Sequence, residues 1–204
     1  MKHEMTGGAA IVHSLHQHGV DTVFGIPGTH NLAIFEALHD VPSIQHIVAR
    51  HEQGAAFMAD GYARASGREG IWFCTTGPAA LNLLASMGTA YSDSIPLFAI
   101  CSQIPGHHIG LEKGYLHECR DQLSCFRPVT KWCRSVDSVD EIPRAIQEAF
   151  RQMRTGRARP VAIEVPFDVL DREDLVTLAR AQPVTHLEPA ADRIDEAVRL
   201  LAAA

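Results

Sequence analysis

The sequence predicts an α/β protein, a mostly parallel sheet covered by helices on both faces. Two observations carry this. Short, continuous apolar runs recur along the chain, without the polar alternation of a half-solvated strand. Between them lie stretches whose apolar residues follow helical spacing. Such runs read as strands buried on both faces, and the helices between them are the crossovers that parallel pairing requires.

The elements follow in order. Val12 and Leu15 share one face of a first helix, which ends near Gly19. Thr22 to Ile26 is a short strand broken by Pro27-Gly28. Leu32, Phe35, Glu36 and Leu38 belong to a second helix, and Ile44 to Ala49 reads as a buried strand. An Ala-rich helix then opens at Glu52. Gly70 to Thr75 is a strand, Leu81, Leu84, Ala85 and Gly88 read as one helix, and Pro96 to Cys101 is the next strand. Gln103 to Leu116 is irregular, and Val129 to Val136 is a strand. Ile142, Ile146, Ala149 and Met153 form the core face of a helix, and Pro160 to Val165 is the last strand, ended by Pro166.

Residues 1–170 therefore read as one domain. Charge, prolines and weak apolar periodicity make 171–190 a linker. Ile194, Ala197, Val198 and Leu201 then give 191–204 one amphipathic helix. It is either the start of a central domain missing from this chain or a C-terminal helix docked back on the first domain.

Composition bounds the function. The 204 residues, 46% hydrophobic, suffice for one full core. A formal net charge of -6 argues against a nucleic-acid partner held by phosphate neutralisation. No apolar run approaches the roughly 18 residues a membrane span needs, and no secretory signal follows Met1. A cytoplasmic location is expected. The five cysteines form no C-x-x-C pair, and their odd number disfavours a disulfide framework, so reduced thiols are expected.

The most informative stretch runs from His51 to Arg64. Glu52 falls between a strand and a helix, at the carboxyl ends of the strands, where parallel sheets bind ligands. A carboxylate in a dry crevice there can be tuned for proton chemistry. The bland alternative is a first-turn acid stabilised by the helix dipole. Three further blocks lie at strand or helix ends. Phe24-Gly25-Ile26-Pro27-Gly28-Thr29-His30-Asn31 contains a turn that lets backbone approach a ligand closely. Thr75-Thr76-Gly77-Pro78-Ala79-Ala80-Leu81-Asn82 is a strand-to-helix turn. Ala90-Tyr91-Ser92-Asp93-Ser94-Ile95-Pro96-Leu97 closes a helix and enters a strand.

In this order and spacing the four blocks resemble the N-terminal, pyrimidine-binding (Pyr) domain of thiamine diphosphate (ThDP)-dependent enzymes. The resemblance is to the acetolactate synthase and benzoylformate decarboxylase type, and it covers most of residues 6–170. That family usually has Gly-Pro-Gly where this chain has Gly77-Pro78-Ala79. The resemblance implies that Pro27, Gly28, Glu52, Thr76, Gly77, Pro78 and Asn82 meet the cofactor, and that His30, His117 and Gln122 meet the substrate. It also implies that the residue matching Glu52 hydrogen-bonds the aminopyrimidine ring. This promotes the imino tautomer, whose nitrogen takes the thiazolium proton. A buried glutamate suits that role because desolvation raises its pKa.

The Gly-Asp-Gly segment through which the family binds diphosphate and Mg2+ does not occur here, nor does a Walker A loop or G-x-G-x-x-G. The resemblance thus gives this chain half of a cofactor site, the Mg2+-diphosphate half coming from a domain absent from it. The chain is then a fragment or a stand-alone Pyr subunit, expected to be inactive alone. A homodimer or higher oligomer is expected, with the face of Ala55, Ala56, Ala59 and Ala63 suited to isologous packing.

The segment Gly114 to Gln122 and His30 look more like 5-guanidino-2-oxopentanoate decarboxylase than acetolactate synthase, which typically shows Phe-Gln-Glu and runs one residue shorter here. The implied function is a 2-oxo acid decarboxylase or carboligase; acetolactate synthase and a catalytically silent interaction module are the alternatives. Glu118 and Asp121 can meet a cationic substrate tail or be ordinary loop acids. His117 can position a substrate carboxylate, relay a proton near neutral pH or be a loop histidine packed against the partner subunit. His107, His108, His117 and Cys119 lack the tight pairing of zinc sites, and 12 histidines make chance clustering easy. No resident metal is expected.

Overall fold

The computed structural model describes residues 2–182 and 188–204. The first half contains β1 (His3–Thr6), α1 (Gly7–Gln17), β2 (Thr22–Gly25), α2 (Leu32–His39), β3 (Gln45–Val48), α3 (Glu52–Ser66) and β4 (Gly70–Cys74). Then come α4 (Pro78–Leu81), α5 (Leu84–Asp93), β5 (Leu97–Gln103), α6 (Gln122–Phe126) and β6 (Trp132–Ser135). The chain continues with α7 (Ile142–Arg154), β7 (Val161–Pro166), α8 (Phe167–Asp171), β8 (Glu173–Val176) and α9 (Ala191–Ala202).

Six strands form one sheet in the order β3-β2-β4-β5-β7-β6, every neighbouring pair parallel. Of the four inner strands, β4, β5 and β7 are buried at every position, which is why they read as mostly apolar runs. One face carries α1, α2 and α7, whose Ile11, Leu15, Ile34, Ile146 and Phe150 share a core with Phe73 and Phe98. The other face carries the alanines of α3 with Trp72, Leu83, Met87 and Phe126. The predicted α/β class with a mostly parallel sheet is the observed one.

Four sequence readings need correction. The run Ile44 to Ala49 is an edge strand with Val48 65% exposed, so its apolar character reflects no two-sided burial. The single helix expected around Leu81 to Gly88 is broken at Asn82–Leu83 into α4 and α5. Within the stretch read as linker, Glu173–Val176 pairs antiparallel with His3–Thr6 in a separate two-stranded ribbon; residues 183–187 of that stretch lie outside the described residues. Local pattern missed the ribbon because its residues are mostly exposed, and the partners are about as far apart as the chain allows. Finally, Ala55, Ala56, Ala59 and Ala63 pack on the chain's own sheet, so this face is not open to a second copy. A Cβ on Gly70 would collide with the Ala59 carbonyl, which shows how closely α3 lies on β4. Small residues here serve close helix–sheet packing. The outer face of α3 instead exposes Gly54, Phe57, Met58 and Gly61.

α9 exposes every residue, including Ile194, Val198, Leu200 and Leu201. Among the described residues no helix is long and apolar enough to cross a membrane.

Candidate functional site at the carboxyl ends of the strands

Three turns leave the carboxyl ends of β2, β3 and β4 side by side. After β2, the Pro27-Gly28 turn is clamped by Asn31, which is fully buried. Its Oδ1 accepts from the Gly28 N–H at 2.7 Å and its Nδ2 donates to the Ile26 carbonyl at 3.3 Å. A Cβ on Gly28 would lie 2.9 Å from the Thr75 Cβ, so only glycine lets the β2 and β4 turns meet.

After β3, His51 caps α3, its Nδ1 accepting from the Gln53 N–H at 3.2 Å. Glu52 is the first helical residue and is half-buried. Asn82 Nδ2 donates to Glu52 Oε2 at 2.9 Å. The other carboxylate oxygen has no hydrogen-bond partner among the described residues. The break between α4 and α5 creates this pair, because it places Asn82 at a helix end facing the start of α3. The two helices behind it are tied together as well. Arg64 of α3 bonds the buried Asp60 at 2.7 Å and Asp93 of α5 at 2.8 Å. Asp93 and Ser94, which closes α5 in the left-handed conformation, belong to the Ala90–Leu97 block. That block therefore fixes α5 against α3.

After β4, Thr76 is buried and its hydroxyl lies 3.2 Å from that of Ser102 on β5. Gly77 has φ 62 and ψ -114, a conformation open to glycine alone, and Pro78 occupies the first turn of α4. A Cβ on Gly77 would strike the His117 carbonyl. Ala79, standing where the family has glycine, turns its methyl into the apolar cluster around α3.

The expected substrate residues divide. His30 is buried and His117 exposed, with ring centroids 5.8 Å apart. Tyr115 and Phe167 also face His30, at 6.0 and 5.8 Å. Burial, then the neighbouring His117, lowers the His30 pKa, which favours its neutral form. His117 itself has φ 64, rare for a residue with a side chain. Gln122, by contrast, lies beneath the site, 1% exposed, with its amide committed to protein groups. It reaches the site through the Gly77 N–H and presents nothing to a substrate. Glu118 and Asp121 are also engaged locally. Glu118 accepts from the Gly114 and Tyr115 N–H groups at 2.6 and 3.0 Å, and Asp121 caps α6. Among the described residues no three His, Cys, Asp or Glu side chains are grouped to hold a metal ion.

Sequence reasoning missed the Asn31 clamp, the Phe167 wall and the buried Glu164. A lone acid inside the apolar run Pro160 to Val165 was the available signal for the last of these.

A family profile described as thiamine pyrophosphate enzyme, N-terminal TPP binding domain, matches residues 5–125. The chain is 42% identical over 182 residues to a probable 2-ketoarginine decarboxylase, AruI, of Pseudomonas aeruginosa, covering 89% of this chain and 31% of the relative. It is 40% identical over 168 residues to the acetolactate synthase large subunit of Haemophilus influenzae, covering 82% and 29%. Against acetolactate synthase isozyme 3 large subunit of Escherichia coli the identity is 41% over 167 residues, covering 82% and 29%. The chain thus spans about a third of the length of these relatives. With the Glu52–Asn82 pair and the two glycine turns at the strand ends, the chain belongs to the thiamine pyrophosphate enzyme family as an N-terminal, thiamine diphosphate-binding domain of acetolactate synthase-like type.

Proposed function

We propose that this domain serves a thiamine diphosphate-dependent 2-oxo acid decarboxylase or carboligase, and that Glu52 activates the cofactor. The observation that carries the reading is the Glu52–Asn82 pair. Asn82 holds one carboxylate oxygen, and the other stands free on a half-exposed acid at the strand ends. A free carboxyl oxygen that carries a proton can donate it to the ring nitrogen of an aminopyrimidine, and the Gly28 and Gly77 turns present main chain at the same strand ends. When bound, thiamine diphosphate supplies the electron sink for breaking the bond to a 2-oxo acid's carboxylate. Glu52 holds a proton at its free oxygen and shares it with that ring nitrogen. Asn82 keeps the carboxylate from rotating away. His30 and His117, with Tyr115 and Phe167, form the wall we assign to the substrate.

Mg2+ and the diphosphate need clustered oxygen ligands, and we assign these to another part of the parent protein. The outer face of α3, with Phe57 and Met58 exposed, is our choice for the surface joining two copies in a homodimer. Acetolactate synthase remains the second reading, favoured by relatives of that name at nearly the same identity. His30 and the Leu116-His117-Glu118 loop favour a 2-ketoarginine decarboxylase-like substrate.

The test is proton–deuterium exchange at the thiazolium carbon in the complete enzyme. Glu52→Gln keeps size and one acceptor but has no acidic proton to share. Exchange should fall by about 10²–10⁴-fold, the usual contribution of a general acid or base, with thermal unfolding little changed. Exchange equal to wild type would make Glu52 a mere helix-opening acid and end this reading.

A further inference from the structure

Glu164 is a carboxylate in the middle of β7, 5% exposed among the apolar residues of an inner strand. Its Oε2 accepts from Gln103 Nε2 at 3.2 Å and from Gln122 Nε2 at 3.1 Å. Gln122 Nε2 also donates to the Ser102 carbonyl at 3.1 Å. Both of its amide hydrogens are thereby used. Its Oε1 accepts from the Gly77 N–H at 2.7 Å. One orientation of the Gln122 amide satisfies all three neighbours. Flipped, it would set its NH2 against the Gly77 N–H and its oxygen against two other acceptors. Glu164 and the Ser102 carbonyl therefore select the orientation that holds Gly77. Where a Cβ would stand, Gly77 is blocked by the His117 carbonyl.

We propose that Glu164 is a positioning residue for the cofactor turn, fixing the Gln122 amide and, through it, Gly77 and the Thr76–Pro78 backbone. The structural coupling stands on this geometry alone; its consequence for the cofactor rests on the reading given above.

The coupling also responds to pH. Burial pushes the Glu164 carboxyl up to about 7, Gln122 and Gln103 oppose this, and the charges of Asp121 and Asp137 add to it. Asp121 lies just before α6 and Asp137 just past β6. Cys133 of β6 feels the Glu164 charge, Ser135 and Cys101 are its register partners on β6 and β5, and β5 also supplies neutral Gln103. Among the described residues no Lys or Arg forms a salt bridge with it. Ionised, the carboxylate accepts from both amides. A proton arriving near neutrality settles on the other oxygen and leaves Oε2 a neutral acceptor, which weakens both bonds and loosens the Gln122 orientation.

The experiment follows the Gly77 amide of this chain by 1H–15N NMR from pH 5.5 to 8.5, without cofactor. The Gly77 signal should move with an inflection near pH 7, and in Glu164→Gln that inflection should vanish. The substituted amide oxygen can still accept from both glutamines, so the turn should persist. Gln122→Met removes the acceptor. Gly77 amide exchange should then speed about tenfold or more, one buried hydrogen bond being lost, and the inflection should vanish there too. If Glu164→Gln fails to fold, Gln122→Met carries the test. A flat Gly77 titration overturns the proposal. So does an inflection that survives Glu164→Gln and disappears in His117→Ala, because the reporter would then be sensing an imidazole. In the complete enzyme, Gln122→Met should raise the half-saturating thiamine diphosphate concentration about tenfold with kcat nearly unchanged. An unchanged requirement overturns the positioning role. Failure of the Glu52 exchange test would leave the Gly77 titration untouched, so the two readings fail separately.

Discussion

Gly77 meets two demands at once. Its φ of 62 with ψ -114 excludes any side chain, and the His117 carbonyl occupies the place a Cβ would take. Gly77→Ala should therefore cost more than about 2 kcal/mol, backbone strain adding to a steric clash against main chain. Urea unfolding of wild type and variant measures this. A loss under about 0.5 kcal/mol, the ordinary scale of a surface substitution, would mean that the turn relaxes freely. The sequence displayed Gly28, Glu52, Gly77 and Asn82 because each sits in a local motif whose spacing is written along the chain. It did not display what Gln122 does. That residue takes its meaning from Gly77, Ser102 and Glu164, three partners on different elements and at least 20 positions away. Side-chain networks of that span exist only once the sheet order is known.

At the scale of elements, the buried strands and the amphipathic α7 were legible because burial on both faces and helical spacing leave different periods in sequence. The edge strand β3 reads like an inner strand, since apolar composition does not reveal how many neighbours a strand has. The α4/α5 break was hidden because Leu81 to Gly88 keeps helical spacing across it, yet that break delivers Asn82 to Glu52. Helix ends also carry contacts that only the fold supplies. Lys131, just before β6, donates from Nζ to the carbonyls of Gln152, Thr155 and Arg157 at 2.8, 2.6 and 3.2 Å. It satisfies the open carbonyls at the end of α7 and sets a positive charge against the negative end of the helix. Lys131→Met keeps much of the stem and removes the donors. It should lower stability by about 1–2 kcal/mol, seen as a lower urea midpoint with unchanged slope. No shift in midpoint would show that water serves these carbonyls equally well.

Taken whole, the molecule gathers one half of a site at one end of a sheet. Its turns offer a free carboxylate oxygen, glycine backbone and an imidazole–aromatic wall, all suited to the pyrimidine end of a cofactor and a small acid. Gly-Asp-Gly is missing from the sequence, and the described residues group no set of metal-ligating side chains. The relatives are about three times longer than the matched span. The 204-residue chain by itself, given thiamine diphosphate, Mg2+ and either pyruvate or 5-guanidino-2-oxopentanoate, should therefore release no CO2 above the rate without protein. The physical reason lies in the cofactor's own size. Held only at its pyrimidine, it keeps its diphosphate and thiazolium ends mobile, and the orientation that makes an enzyme-bound reaction effectively unimolecular is forfeited; that orientation is worth about 7–11 kcal/mol. On the proposed reading Glu52 still meets a pyrimidine, while the described residues group no second anchor to hold the reacting carbon against the wall assigned to the substrate. Sustained turnover by the purified chain would require a diphosphate anchor within these residues, and the half-site account of the molecule would then be wrong.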